Sequence, residues 1–404
     1  MISVEEALSR LLAPLETLPP EQISIADGVG RVLAEDLAAR RTQPPFAVSA
    51  MDGYAVRADD LAQIPAELRI VAEIPAGAGF GGHVGPGEAA RIFTGAPLPA
   101  GTDTIVIQED AERDGDRVRV REGAPRGRYV RREGLDFAES EVLLRRGRRL
   151  TPRDIGLAAA MNRPWLFVTR RPRIGILSTG DEIVMPGDPI GPHQIVSSNA
   201  LALAAFVTAC GGIPISVGNA PDDPEALRQI AAATRGVDLL VTTGGASVGD
   251  HDLVRDVLGS DGLDLDFWQI AMRPGKPLMV GRYRGTPMLG LPGNPVSTLV
   301  CALLFLKPAM ERLGGLGEAA EPTVTARLGA PLKQNDRRQD YLRARLVRAA
   351  DGVVEAMPFD VQDSSMMRLL AQSDCLIVRP PHAPPLAAGA AVPIVPFSVG
   401  AWPL

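Results

Sequence analysis

Cysteine, histidine and lysine are scarce in this sequence, and each scarcity removes a class of chemistry. The three cysteines, Cys210, Cys301 and Cys375, lie far apart inside apolar segments, which fits reduced core thiols and argues against a disulfide framework or a zinc site. None of the four histidines stands at metal-ligand spacing from another, so a transition-metal centre built from side chains is not expected. Lysine occurs only at Lys276, Lys307 and Lys333, every other basic side chain being Arg. Surplus positive charge is lacking too: 42 basic against 48 acidic residues give −6, so no net attraction draws the chain to a nucleic-acid backbone. A local site for a small anion stays open. The longest apolar stretch, residues 296–306, is interrupted by Ser297 and Thr298 and ends at Lys307, too short to span a bilayer. The N-terminus carries no basic segment of a secretory signal, so the expected location is the cytoplasm, with neither membrane nor nucleic acid as partner.

What the sequence does hold is apolar chain for several cores. Its 404 residues correspond to about two to four domains of ordinary size. Hydrophobic residues at 46% and charged residues at 22%, in periodic patterns, exclude wholesale disorder. Ser3 and Glu6 make a capping box before Val4, Ala7, Leu8, Leu11 and Leu12 at helical spacing, which predicts an opening amphipathic helix. Short β-rich runs between residues 69 and 142, separated by Gly, Pro and Asp turns, predict a small β domain. Thr151-Pro152-Arg153-Asp154 starts a second helix through Met161, expected to pack against the first. Residues 173–315 then alternate strands (174–178, 213–217, 237–243, 265–270, 287–291) with helices starting near Ser198, Pro221, Asp252 and Pro295. Such alternation implies a mostly parallel sheet with function in the loops after its strands. Strands return after Pro322, at 323–328, 341–347, 353–357, 375–378 and 391–395. The expected fold class is multidomain α/β plus β. A discontinuous N-terminal helical domain comprises residues 1–45 and 141–170, an inserted β domain 46–140, a central α/β domain 171–320 and a C-terminal β domain 321–404.

Three loops of the α/β region carry candidate chemistry. Ser178-Thr179-Gly180-Asp181-Glu182 ends a strand with two carboxylates. Thr242 to Asp252 leads from strand to helix through Gly244, Gly245, Ser247 and Gly249, where glycines let backbone N–H groups approach a phosphate. Asp250 and Asp252 at its far end suit Mg²⁺, although Asp252 as a plain helix cap is an open alternative. The third loop, Pro292-Gly293-Asn294-Pro295-Val296-Ser297, gains meaning from Arg273-Pro274-Gly275-Lys276, where two cations flank a rigid Pro-Gly. A lysine retained in an Arg-dominated chain suggests a compact charge for an oxyanion, against the plainer reading of a solvated lysine in a turn. Asp52-Gly53 between apolar neighbours reads equally as a hairpin turn. The runs Arg126 to Arg132 and Arg145 to Arg149 read as solvated strand ends.

Taken in order, Ser-Ala-Met-Asp-Gly-Tyr-Ala-Val (49–56), Phe-Thr-Gly-Ala-Pro (93–97), Ser-Thr-Gly-Asp-Glu (178–182), Thr-Gly-Gly-Ala-Ser-Val-Gly-Asp (243–250), Arg-Pro-Gly-Lys-Pro (273–277) and Leu-Pro-Gly-Asn-Pro-Val-Ser (291–297) closely resemble the molybdopterin molybdenumtransferase family, to which the gephyrin E domain is related. The resemblance covers nearly the whole chain. It implies the last step of molybdenum cofactor synthesis, in which adenylylated molybdopterin is cleaved to AMP while molybdate is inserted at the dithiolene. It implies Mg²⁺ dependence, an elongated homodimer joined through the N-terminal domain, and transient contacts with other cofactor-biosynthesis proteins and apo-molybdoenzymes. By motif match, Glu182, Asp250 and Asp252 would hold Mg²⁺, and Gly244, Gly245, Ser247 and Gly249 would cradle the nucleotide. Ser247, Arg273, Lys276 and Ser297, with Pro292, Gly293 and Asn294, would meet the molybdate. Asp52, Thr94 and Asp136 would reach in from the partner chain, and Asp222 matches another family acid. The chain departs from the family at Arg273 and Gln269, where Lys is common. Two other functions compete with this expectation: a molybdopterin adenylyltransferase, whose fold resembles residues 171–320 alone, and a non-enzymatic scaffold of the gephyrin kind.

Overall fold

The computed structural model describes residues 1–232, 236–244, 253–316 and 323–397. At its centre stands a six-stranded sheet in the order Ile213–Ala220, Arg173–Thr179, Leu239–Thr243, Thr286–Leu291, Pro277–Tyr283, Leu263–Gln269. The first four strands run parallel, and Pro277–Tyr283 runs against both of its neighbours. Arg173–Thr179 is buried at every position after the first, as a strand covered on both faces must be. Alternation sorts the side chains between two cores. Ile174, Ile176, Leu239 and Val241 pack with Leu203 and Val207 of the helix Asn199–Ala209 and Val296 and Val300 of Pro295–Cys301. Leu177 and Leu240 face the other way, onto Leu227 and Leu258 of the helices Pro224–Ala232 and Leu253–Ser260.

Pro277–Tyr283 is a strand the sequence reading does not contain. It forms a tight hairpin with Thr286–Leu291 through Arg284 and Gly285, at φ of +47° and +84°. Positive φ at both central residues gives the turn a twist that matches paired strands. Arg-Gly lacks the Asn or Asp that usually announces such a turn.

The opening helix Val4–Leu12 is capped by the Ser3 hydroxyl, which accepts from the Glu6 N–H at 3.0 Å. Its packing corrects the expectation. Ala7, Leu11 and Leu15 join the α/β core beside Leu306 and Leu313, whereas the helix Pro152–Ala160 packs with Leu33, Leu37, Phe137 and Leu150. Arg10 pairs with Asp266, and the Ile2 carbonyl accepts from the Ala271 N–H at 2.8 Å. These contacts fasten the helix to the central sheet and leave the second helix to a separate core.

The inserted β unit is a six-stranded sheet in the order Thr104–Ile107, Gly53–Val56, Glu88–Ile92, Ala66–Ile74, Arg117–Val120, Ala111–Asp114. Asp52-Gly53 is no hairpin turn: Gly53 opens a strand paired on both sides, and a Cβ there would strike the Val106 carbonyl. In the C-terminal unit, Gln339–Arg348, Val354–Pro358, Val324–Leu328, Ala391–Pro396 and Cys375–Arg379 close into a barrel, since the last strand pairs back to the first. The two-residue strand Met272–Arg273 of the α/β unit adds to it in parallel, opposite Gln339 and Asp340. The barrel is thereby tied to the loop that carries the two cations.

Candidate functional site

At the carboxyl ends of the parallel strands lies a cleft of about 820 Å³, lined among others by Ser178, Thr179, Glu182, Asn199, Gly244 and Ser297. This is where an open α/β sheet offers its loops to a ligand. Gly244, at φ +88°, sits so close to the Thr179 carbonyl that a Cβ would collide with it. The two glycine loops also meet, because a Cβ on Gly293 would come within 3.6 Å of the Gly244 Cα. Asn199 ties them by donating to Thr243 Oγ1 at 3.0 Å and to the Gly293 carbonyl at 2.7 Å. Thr298 donates to the Pro292 carbonyl at 2.6 Å and fixes the stiff turn at the start of Pro295–Cys301.

The C-terminal barrel supplies one wall. Asn294 donates to Ser364 Oγ at 2.8 Å and the Val296 N–H to the Ser364 carbonyl at 3.1 Å, which brings Ser365 and Met367 to the cleft. Ile183, Ile195 and Val196, which also line the cleft, come from a short parallel ladder, Ile183–Val184 with Ile195–Val196. Asn199, Ser365 and Met367 were not singled out from sequence, and Ser178 and Thr179 entered only as the start of the 178–182 motif, with no role of their own. Asn199 had a signal in its place at a helix start after a strand, but nothing local marks a wall residue from a distant barrel.

Of the sequence-predicted residues, Glu182, Gly244, Pro292, Gly293, Asn294 and Ser297 line this cleft together. Gly245, Ser247, Gly249, Asp250 and Asp252 lie outside the described residues. Asp222 is exposed beyond Ile213–Ala220, and its N–H donates to Asp181 Oδ1 at 3.0 Å. The two cations of the Arg-Pro-Gly-Lys turn are not equivalent. Arg273 is held by Asp340, by Asp336 at 3.2 Å and by Asn335 at 3.5 Å, and the Asp340 bond drives its pKa above the ordinary Arg value. Lys276 is half-buried, and among the described residues it has no ion-pair partner. Pro277, the next residue, lines the cleft.

Asp52 and Thr94 come together in the inserted β unit. The carboxylate accepts from both the N–H and the hydroxyl of Thr94, each at 2.7 Å. The backbone N–H bond, followed by the hydroxyl, lowers the Asp52 pKa. Asp136 lines a second cleft of about 450 Å³ with Gly95, Arg131 and Phe46. None of these three acid-side residues lines the larger cleft of the same chain.

Neither His nor Cys lines the described part of the large cleft, and its one carboxylate, Glu182, with hydroxyl and amide oxygens around it, offers the oxygen ligands that Mg²⁺ prefers. Among the described residues no group of three or more His, Cys, Asp or Glu gathers to hold a metal. Glu182 alone is compatible with Mg²⁺, which commonly takes one or two carboxylates beside a phosphate.

Three family models match in series: the MoeA N-terminal region, domains I and II, over residues 2–162; a probable molybdopterin binding domain over 175–312; and the MoeA C-terminal region, domain IV, over 325–397. A molybdopterin molybdenumtransferase of Nostoc sp. is 40% identical over 361 residues, covering 87% of this chain and 83% of that protein. Molybdopterin molybdenumtransferase 2 of Mycobacterium tuberculosis is 36% identical, covering 96% and 98%. Among solved structures, a molybdopterin biosynthesis MoeA protein from Pyrococcus horikosii superposes with a TM-score of 0.84 at 31% identity, covering 98% of this chain and 99% of that one.

Proposed function

This chain belongs to the molybdopterin molybdenumtransferase family, and from that premise we propose that it inserts molybdenum into adenylylated molybdopterin with release of AMP. The observation that carries the reading is the convergence of Glu182, Gly244 and the 292–297 loop on one cleft, a glycine-rich cradle beside a carboxylate. A phosphoanhydride needs both. The Gly244 loop would hold the nucleotide phosphate through backbone N–H groups. Glu182, with Asp250 and Asp252 of the loop outside the described residues, would hold Mg²⁺, which when bound neutralises phosphate charge.

Lys276 would supply the free cation for molybdate, with Ser297 as a hydroxyl donor, while Arg273 anchors the turn to the barrel. Cleavage then depends on positioning and charge stabilisation, without a protein nucleophile. Asp52, Thr94 and Asp136 would complete the site from a second copy of the chain in a homodimer. The test is to supply adenylylated molybdopterin, molybdate and Mg²⁺ and to follow AMP. Molybdate-dependent AMP release supports the reading. Pyrophosphate release from ATP would make the protein an adenylyltransferase, and neither product would make it a scaffold.

A further inference from the structure

Five buried side-chain polar atoms lack a hydrogen-bond partner among the described residues: Ser178 Oγ, Thr179 Oγ1, Asn219 Oδ1, Asp340 Oδ1 and Arg343 Nη2. The first three gather at the carboxyl ends of adjacent strands, where Ser178 stands in register with Asn219 on one side and Thr243 on the other. A buried polar group without a partner lowers stability, so a cluster of them at a cleft calls for an explanation.

We propose that Ser178 and Thr179 are substrate-binding residues whose hydroxyls donate to the phosphate oxygens of the nucleotide half of the substrate. This rests on the function proposed above and extends it to two residues. Ser178 is 5% exposed and Thr179 2%, yet both line the cleft. The neighbouring polar side chains are engaged in holding loops: Asn199 on Thr243 and Gly293, and Thr298 on Pro292 and on the Asn294 carbonyl at 3.0 Å. Among the described residues, the hydroxyls of Ser178 and Thr179 hold no loop. Their position next to Gly244, the first residue of the glycine-rich loop, places them on the side the proposed function gives to the nucleotide. A phosphate ester offers acceptors only, which is what two unengaged hydroxyl donors match.

The test uses the double variant Ser178→Ala, Thr179→Val in the full chain. AMP with Mg²⁺ and molybdate alone are titrated separately by calorimetry, and thermal unfolding is followed on the same preparations. The expected result is an AMP Kd raised at least about tenfold, the loss of one or more hydrogen bonds to a charged group. Molybdate binding and Tm should be unchanged, or Tm higher, because removing an unpartnered buried hydroxyl relieves a penalty. Equal AMP affinity in variant and wild type overturns the proposal. So does a fall in Tm, which would give the hydroxyls a structural role, or a loss confined to molybdate, which would place the wrong ligand beside them. If wild type itself fails to bind AMP, the nucleotide reading of the cleft fails first, and that outcome is distinct from equal binding by both.

Discussion

Two cations three positions apart do different work because, among the described residues, only one meets carboxylates. Arg273 spends its guanidinium on Asp336 and the nearly buried Asp340, so its charge is largely compensated before any ligand arrives. Lys276 has no such partner among the described residues. Replacing Lys276 with Met should therefore raise the molybdate concentration needed for half-maximal AMP release, and high molybdate should restore part of the rate. Steady-state rates across a molybdate series check this; an unchanged dependence would put the anion elsewhere. Arg273→Met should act differently, loosening the junction with the barrel and lowering Tm along with activity, since it leaves Asp340 buried without its cation. At the same scale, Asp52 stays ionised to lower pH than an ordinary aspartate because Thr94 donates to it twice. It is thus a charged acceptor throughout the neutral range.

Loops make the site and strands place it, so element-scale predictions concern backbone. Gly244→Ala forces a side chain onto a residue at φ +88° and against the Thr179 carbonyl, which should cost roughly 1–3 kcal/mol of stability. Gly293→Ala meets only the Gly244 Cα, at 3.6 Å, so it should fold normally and lose AMP affinity instead. Chemical unfolding and AMP titration of the two variants separate these outcomes. In the barrel, the Arg327 pair at 2.5 Å holds the Asp351 carboxyl down to about 2 from an ordinary value of 3.8. A depressed folded pKa adds stability above the unfolded value, lost as pH falls through the folded one. The Tm difference between wild type and Asp351→Asn should therefore be constant above about pH 5 and shrink between about pH 4 and pH 2. Elements with local signals were legible: the Ser3 and Thr151 caps, and the strand marked by the apolar run Leu239, Leu240 and Val241. The strand Pro277–Tyr283 was not, because its partner turn, Arg284-Gly285, carries no local signature.

On the scale of the molecule, what the sequence could not convey was which units touch. The opening helix has one apolar stripe and nothing in it says whether that stripe meets Pro152–Ala160 or the α/β core; Arg10 with Asp266 and Ile2 with Ala271 decide it. Likewise Ser364, some 70 positions from Asn294, builds a cleft wall through long-range bonds no pattern announces. The motifs themselves were legible, because each glycine loop lies at a strand end where chemistry concentrates in this architecture. They fall into two places within one chain, Glu182 and Gly244 at the large cleft, Asp52 and Thr94 away from it. Joining them is the work the account assigns to a homodimer. The most direct test mixes two inactive proteins, Asp52→Asn and Glu182→Gln. They are co-unfolded and refolded, subunit exchange is confirmed by mass, and AMP release with molybdate is assayed. Random pairing makes about half the dimers mixed, each with one intact site of two, so activity should return to roughly a quarter of wild type. No recovery despite proven exchange would contradict the shared site and place all of the chemistry within a single chain.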